Sequence, residues 1–261
     1  MSDLARIEPW KLILIGLAAG VLSGGLGVGG GIVLVPLLVA IGLDRHRAHA
    51  TSLAAIMPIA AAGAVFYGMS GELALGVGVA VGLGGAVGSV VGATIMHRSS
   101  PRGLTIVFSI LLILVAVRMV TGAEPVAGSG GLTVPTELAI GVGIGLVAGF
   151  FAGLAGVGGG VVIVPATVLL LALSQHQAQG ASLVAIVLTS VSATAVNWRN
   201  RRLRVGDGLI AGAGGMFGSL IGTRVALATE GRTLSLIFGF LVLAVGLRSL
   251  YKIWTTRPQP V

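Results

Sequence analysis

The sequence predicts an all-α polytopic membrane protein. It is expected to contain two inverted-topology repeats, each a glycine-broken re-entrant hairpin followed by three transmembrane helices, giving about eight hydrophobic segments. Three observations lead there. First, 55% of the 261 residues are hydrophobic and only 9% are charged, whereas soluble domains carry roughly 25% charged residues. Mean hydropathy is +1.05. Second, 44 residues are glycine. They follow no G-X-Y period and sit inside apolar runs, which excludes collagen and disordered linkers. Third, the chain repeats itself.

The repeat is read from register. Gly27-Val28-Gly29-Gly30-Gly31 followed by Pro36 returns as Gly156-Val157-Gly158-Gly159-Gly160 followed by Pro165, an offset of 129. One inserted residue then moves the offset to 130: His46, Ser52, Gly84, Gly88 and Arg118 match His176, Ser182, Gly214, Gly218 and Arg248. Shared composition does not hold register over such a distance, so the halves are homologous.

Taken in order, residues 1–10 read as a cytoplasmic tail, 11–121 as the first repeat, 122–136 as a Gly- and Pro-rich periplasmic or extracellular linker, 137–254 as the second repeat and 255–261 as a cytoplasmic tail. Within the repeats, segments 51–69, 73–96, 103–121, 181–198, 205–228 and 233–253 each approach one bilayer span of about 20 residues. Segments 12–43 and 137–173 are longer and are broken by the glycine clusters.

Parity sets the topology. If each broken segment crosses once, the halves are parallel and the 16 basic residues divide 10 against 6 between the two faces. If each enters and leaves on one side, the halves are inverted, and only Arg118, Arg224 and Arg232 lie opposite the other 13. The positive-inside rule favours the second arrangement. It also places Trp10, Trp198, Tyr251 and Trp254 at the cytoplasmic interface, where amphipathic rings belong. The net charge of +8 therefore reports topology rather than nucleic-acid binding.

Irregular backbone at membrane depth is tolerated inside protein or beside a water-filled cavity. The arm after each cluster starts a helix near Ile32 and Val161, with unpaired N–H groups and a positive dipole end. Two such starts meeting from opposite faces make an anion site near the midplane. Candidate lining groups are Gly27, Gly29, Gly30, Gly31, Gly156, Gly158, Gly159 and Gly160, with Ser52, its mate Ser182, Thr51 and Asn197. Residues from Thr189 to Asn197 are read as lacking polar mates in the first half. Gly84, Gly85, Gly88, Gly92 and their mates are read as helix-packing glycines. The histidines at segment ends are read as interfacial, and Arg118 and Arg248 as snorkelling.

No Asp or Glu lies deep in an expected span. Acidic residues are the usual intramembrane device of cation transport, so the pattern points to anions. There is no cysteine, no Walker A sequence and no nucleophile or metal constellation, so no enzyme and no cofactor are expected.

The paired stretches GLGVGGGIVLVP and GLAGVGGGVVIVP, each followed by a small-residue helix from Thr51-Ser52 or Ala181-Ser182, resemble the TauE/SafE sulfite exporter family over about residues 11–253. The resemblance implies a bacterial or archaeal inner-membrane permease or exporter for sulfite, sulfoacetate or related organosulfonates, with both termini cytoplasmic. It places the substrate at Gly27–Gly31 and Gly156–Gly160, with Ser52 and Ser182 flanking. The alternatives are a non-transporting membrane assembly component or a transporter of an unrelated small anion. Expected partners are the small anion and the lipid bilayer, with no nucleic acid; homo-oligomerisation is left open.

The inverted arrangement has a direct test. Single cysteines placed beside Arg45 and beside Gln175 are expected to label from opposite sides of the membrane. Labelling of both from one side contradicts it.

Overall fold

The computed structural model describes residues 8–95, 101–122, 133–155, 159–199 and 205–255. These form ten helices and, among the described residues, no strand: α1 (Pro9–Leu26), α2 (Gly31–Ala40), α3 (Arg45–Met69), α4 (Leu75–Ile95), α5 (Pro101–Thr121), α6 (Val134–Ala155), α7 (Gly160–Leu171), α8 (Gln175–Arg199), α9 (Val205–Leu227) and α10 (Gly231–Thr255). Five are long and apolar enough to cross a membrane: Pro9–Leu26, Arg47–Met69, Val134–Ala152, Gly206–Leu227 and Gly231–Tyr251.

The two long apolar segments are each two helices. Pro9 starts α1, where its missing N–H costs nothing. Gly27 ends it in the left-handed region at φ 70°, with its N–H donating to the Ser23 carbonyl at 2.7 Å. Gly29 and Gly30 follow at φ 77° and 72°, a conformation open to glycine and strained for other residues. Four residues beyond Leu26 the chain already lies beside Ala19: a Cβ built on Gly30 would sit 3.0 Å from the Ala19 carbonyl oxygen. That is about 10 Å back along α1, so the chain doubles back at the break. The second half does the same, with Gly159 against Ala148.

Helices α3 and α8 begin earlier than the apolar segments, at Arg45 and Gln175 rather than near residues 51 and 181. A helix bonds its own backbone whatever the side chains, and in α8 the added turn is held by protein, with Gln175 and Gln179 buried. Helix α1 starts at Pro9 and α6 at Val134.

Packing exchanges the halves. Helix α1 lies on α9, and its mate α6 lies on α4, the mate of α9; α3 packs on α9 as α8 packs on α4. The order of contacts gives the directions. Gly16, Gly20 and Gly24 meet Ala211, Gly215 and Ser219 in turn, while Gly208, Gly212 and Gly215 meet Ala54, Pro58 and Ile59. Hence α1, α3 and α9 run one way. Gly145 and Gly149 meet Val81 and Gly85, and Gly78, Gly82 and Gly85 meet Val184, Leu188 and Thr189, so α4, α6 and α8 also share a direction. Between the triplets, Gly63 meets Leu183 and Gly180 meets Tyr67: α3 and α8 are antiparallel. Helices α5 and α10 are antiparallel as well, with Gly239 on Met119 and Gly246 on Ile113. Arg232 closes that pair by donating to the Met119 and Val120 carbonyls at 3.0 and 2.9 Å.

Polarity is distributed as a bilayer requires. Large apolar side chains such as Leu114, Phe217, Val225 and Phe240 face outward. Thr51, Ser52, Gln179, Ser182, Ser219 and Thr223 are buried. Glycine makes the close crossings: Cβ atoms on Gly20 or Gly145 would collide with the Gly215 or Val81 carbonyl oxygens. The expected packing role of Gly84, Gly88, Gly214 and Gly218 is what the contacts show, each lying on the backbone of α6 or α1.

Gly145→Leu is therefore expected to abolish a monodisperse folded protein by gel filtration. Gly143→Leu, where nothing lies within 4 Å, should leave it intact.

Candidate functional site

The two breaks touch. Gly160, the first residue of α7, is buried on the first break: a Cβ there would lie 2.7 Å from both the Gly27 carbonyl oxygen and the Val28 Cα. Gly29 lies against Ile186 of α8. Residues 27–31 are all buried. The start of α7, with the N–H groups a helix leaves unpaired, is thus set against the turn between α1 and α2. The two breaks are not conformational copies. Gly30 is left-handed, whereas its mate Gly159 has φ −64°, an ordinary helical value.

A broken helix buried in protein must have its end groups satisfied. At the end of α1 the carbonyl of Gly24 accepts from the Tyr67 hydroxyl at 3.0 Å and from Thr223 Oγ1 at 3.4 Å. The Gly27 carbonyl accepts from Ser182 Oγ at 2.7 Å. Tyr67 is placed by α3, Ser182 by α8 and Thr223 by α9, so three helices cap a fourth. The same hydroxyl lies 2.6 Å from Gln179 Oε1, so its one proton is shared between that oxygen and the Gly24 carbonyl. Gln179 is fully buried, with its Cα and side chain packed on Gly27.

The expected site residues fall out as follows. Gly27, Gly29, Gly30, Gly31, Gly159 and Gly160 lie at or beside the two breaks, and Gly160 joins one break to the other. Gly156 and Gly158 are outside the described residues, as is the side chain of Asn197. Ser182 reaches the first break, but its proton is committed to Gly27. Ser52 turns away and donates to the His49 carbonyl of its own helix at 2.8 Å. Thr51 is buried with its carbonyl near Gly208 of α9. Thr189 and Ser190 donate to carbonyls of their own helix, the usual intrahelical fate of such residues. His176 sits at the end of α9, with Nε2 donating to the Ala226 carbonyl at 3.0 Å.

Sequence reasoning missed Tyr67 and Gln179. Gln179 was excluded by the apolar boundary near residue 181. The available signal was spacing: Gln175, Gln179 and Ser182 fall at i, i+4 and i+7, one face of a helix. Asn197 does have a polar mate, because the offset of 130 pairs it with Tyr67.

The contacts make unequal demands on neighbouring glycines. Gly160→Ala meets Gly27 and Val28 backbone, whereas a Cβ on Gly159 meets only atoms at 3.3 Å or more, the nearest a flexible Ile163 tip. Gly160→Ala is expected to lower thermal stability by about 1–3 kcal/mol, with Gly159→Ala close to neutral, as read by detergent unfolding curves.

Comparison with known proteins adds the family. A model described as Sulfite exporter TauE/SafE matches residues 2–119 and 141–260. A protein of Bacillus subtilis (strain 168), the probable membrane transporter protein YunE, is 25% identical over 92% of this chain and 97% of its own length. A probable membrane transporter protein of Xylella fastidiosa (strain Temecula1) is 28% identical over 93% of this chain and 94% of its own. A second from Xylella fastidiosa (strain 9a5c) is also 28% identical, with the same coverages. With apolar helices long enough to span a bilayer, buried glycine breaks and a family match over nearly its whole length, the chain belongs to the sulfite exporter TauE/SafE family of multi-pass membrane transporters.

Proposed function

We propose that the protein is a secondary transporter, a permease or exporter, of small sulfur-containing anions such as sulfite, sulfoacetate or related organosulfonates. The substrate binds near the bilayer midplane between the two glycine breaks. The observation that carries the reading is the seating of Gly160 on Gly27 and Val28, which brings the start of one short helix against the turn of the opposite hairpin. Helix starts favour anions.

The contact also supports a mechanism of alternating access. The breaks pack directly on one another here, so the substrate enters only when the hairpins part. Exchange between states opened to one face and to the other gives alternating access. The antiparallel mates α3 and α8, and α5 and α10, support two repeats inverted across the membrane, with both termini in the cytoplasm of a bacterial or archaeal cell and the chain in its inner membrane. Asp44, Glu72, Glu137, Asp207 and Glu230 lie in loops or first turns, so among the described residues no carboxylate relay lies within a span. An inside-negative potential drives anion export by about 2.3 kcal/mol per charge per 100 mV. No enzymatic step is assigned.

The test is flux of sulfite, sulfoacetate, thiosulfate and sulfate in proteoliposomes. Gly30→Val puts a β-branched residue at φ 72°, beside the Ala19 carbonyl. Flux is expected to fall to background while the protein still inserts. Wild-type flux in Gly30→Val and Gly160→Val would show that the breaks are not the site. Absence of flux for every anion in the wild type would favour a non-transporting role.

A further inference from the structure

The buried polar side chains divide into two sets. In one, each hydroxyl proton has an acceptor: Ser52 on His49, Ser182 on Gly27, Thr223 on Gly24 and Thr167 on Ile163. These groups have no proton left to offer an anion. In the other set a buried atom has no partner: Nε2 of Gln179, Oγ of Ser219, Oγ of Ser23, both amide atoms of Gln175 and Oγ1 of Thr194. All but Thr194 lie around the end of α1 or on the face of α8 leading to it. Native proteins leave few buried polar atoms unpaired, and each such atom signals a missing water, ion or ligand.

Gln179 and Ser219 are linked through their neighbours at the end of α1. Gln179 Oε1 and the Gly24 carbonyl share the Tyr67 hydroxyl. The 2.6 Å separation is ordinary for an O–H···O bond and short for an N–H···O bond; with the amide oxygen turned to Tyr67, Nε2 has no partner. Ser219 is one turn from Thr223, and its hydroxyl would be 2.8 Å from a Cβ on Gly63, as Thr223 Oγ1 would be from a Cβ on Gly24. Ser23 is one turn beyond Ala19, on the face of α1 that runs along the break. Gln179, Ser219 and Ser23 are all 0% exposed. Glu72, the carboxylate nearest this end of α3, is engaged outside the cluster by Ser174 Oγ at 3.3 Å.

What the three unengaged groups offer is hydrogen-bond donors without fixed charge. Gln179 Nε2 only donates, and each serine hydroxyl can turn its proton toward an acceptor; oxyanion and sulfonate oxygens accept such bonds. We propose that Gln179, Ser219 and Ser23 form a binding station for the sulfur-oxyanion head of the substrate, between α1, α3, α8 and α9. It lies at the end of α1, on the outward side of the contact between the two breaks. Gln175, one turn before Gln179 on the same face of α8, lies on the approach. Tyr67 is a positioning residue that orients the Gln179 amide. This station rests on the transport reading above and supplies the donors that Ser52 and Ser182 do not.

The test uses the purified full chain, with sulfite and sulfoacetate as probes, and compares wild type with Gln179→Met and Ser219→Ala. Both substitutions remove an unpaired buried donor without adding volume, and Tyr67 keeps the Gly24 carbonyl as its acceptor. Each is expected to weaken anion affinity and transport about 10-fold or more while thermal stability holds or rises. Affinity within about two-fold of wild type in both variants, with stability raised, means the atoms hold only a buried water and overturns the station alone. A wild type that binds neither probe overturns the transport reading and the station with it.

Discussion

The structure depends on one constraint: a helix broken among apolar surroundings exposes backbone groups that must be satisfied within the protein. The break at Gly27 to Gly30 leaves the α1 carbonyls without intrahelical donors. Tyr67, Thr223 and Ser182 supply them from three other helices. Those helices must therefore converge on the end of α1, and they must do so closely enough to exclude lipid. The buried position of α8, the helix carrying Gln175, Gln179, Ser182 and Ser190 inward, follows from the same need.

Close convergence in turn explains the glycines. Hydrophobic burial does little to hold two helices together in lipid, so association depends on packing and backbone approach. The α1·α9 and α4·α6 crossings are built that way, with Gly20 on Gly215 and Gly145 on Val81. Each crossing joins one half of the chain to the other, so neither half encloses its own break. The same arrangement lets the two hairpins bear on each other at Gly160 and Gly27 without a side chain between them. Under the alternating-access reading proposed above, an interface made of backbone separates and reforms without moving a side chain out of its way.

Capping also divides the buried polar groups by chemistry. Hydroxyls that close a carbonyl are structural acceptors' partners and nothing more in this state. Donors that close nothing are buried at a cost in stability, and the anion station proposed above is what would give them a partner.

Much of this was legible in the chain itself. Composition determined that the protein is a membrane protein, because 9% charge cannot cover a soluble surface. Register determined the duplication, and three adjacent glycines before a proline-containing arm determined where each long segment breaks, because these are local properties of backbone and period. Family resemblance was legible in the same two clusters. Tertiary structure alone decided which polar groups serve the breaks. The Ser182–Gly27 bond joins residues 155 apart, and the Tyr67–Gln179 bond joins residues 112 apart. Ser52 and Ser182 look equivalent by repeat, yet one donates to its own helix and the other to the opposite hairpin. A hydroxyl's partner is set by what lies within 3 Å, and in a chain whose halves pack by exchange that neighbour comes from the other half.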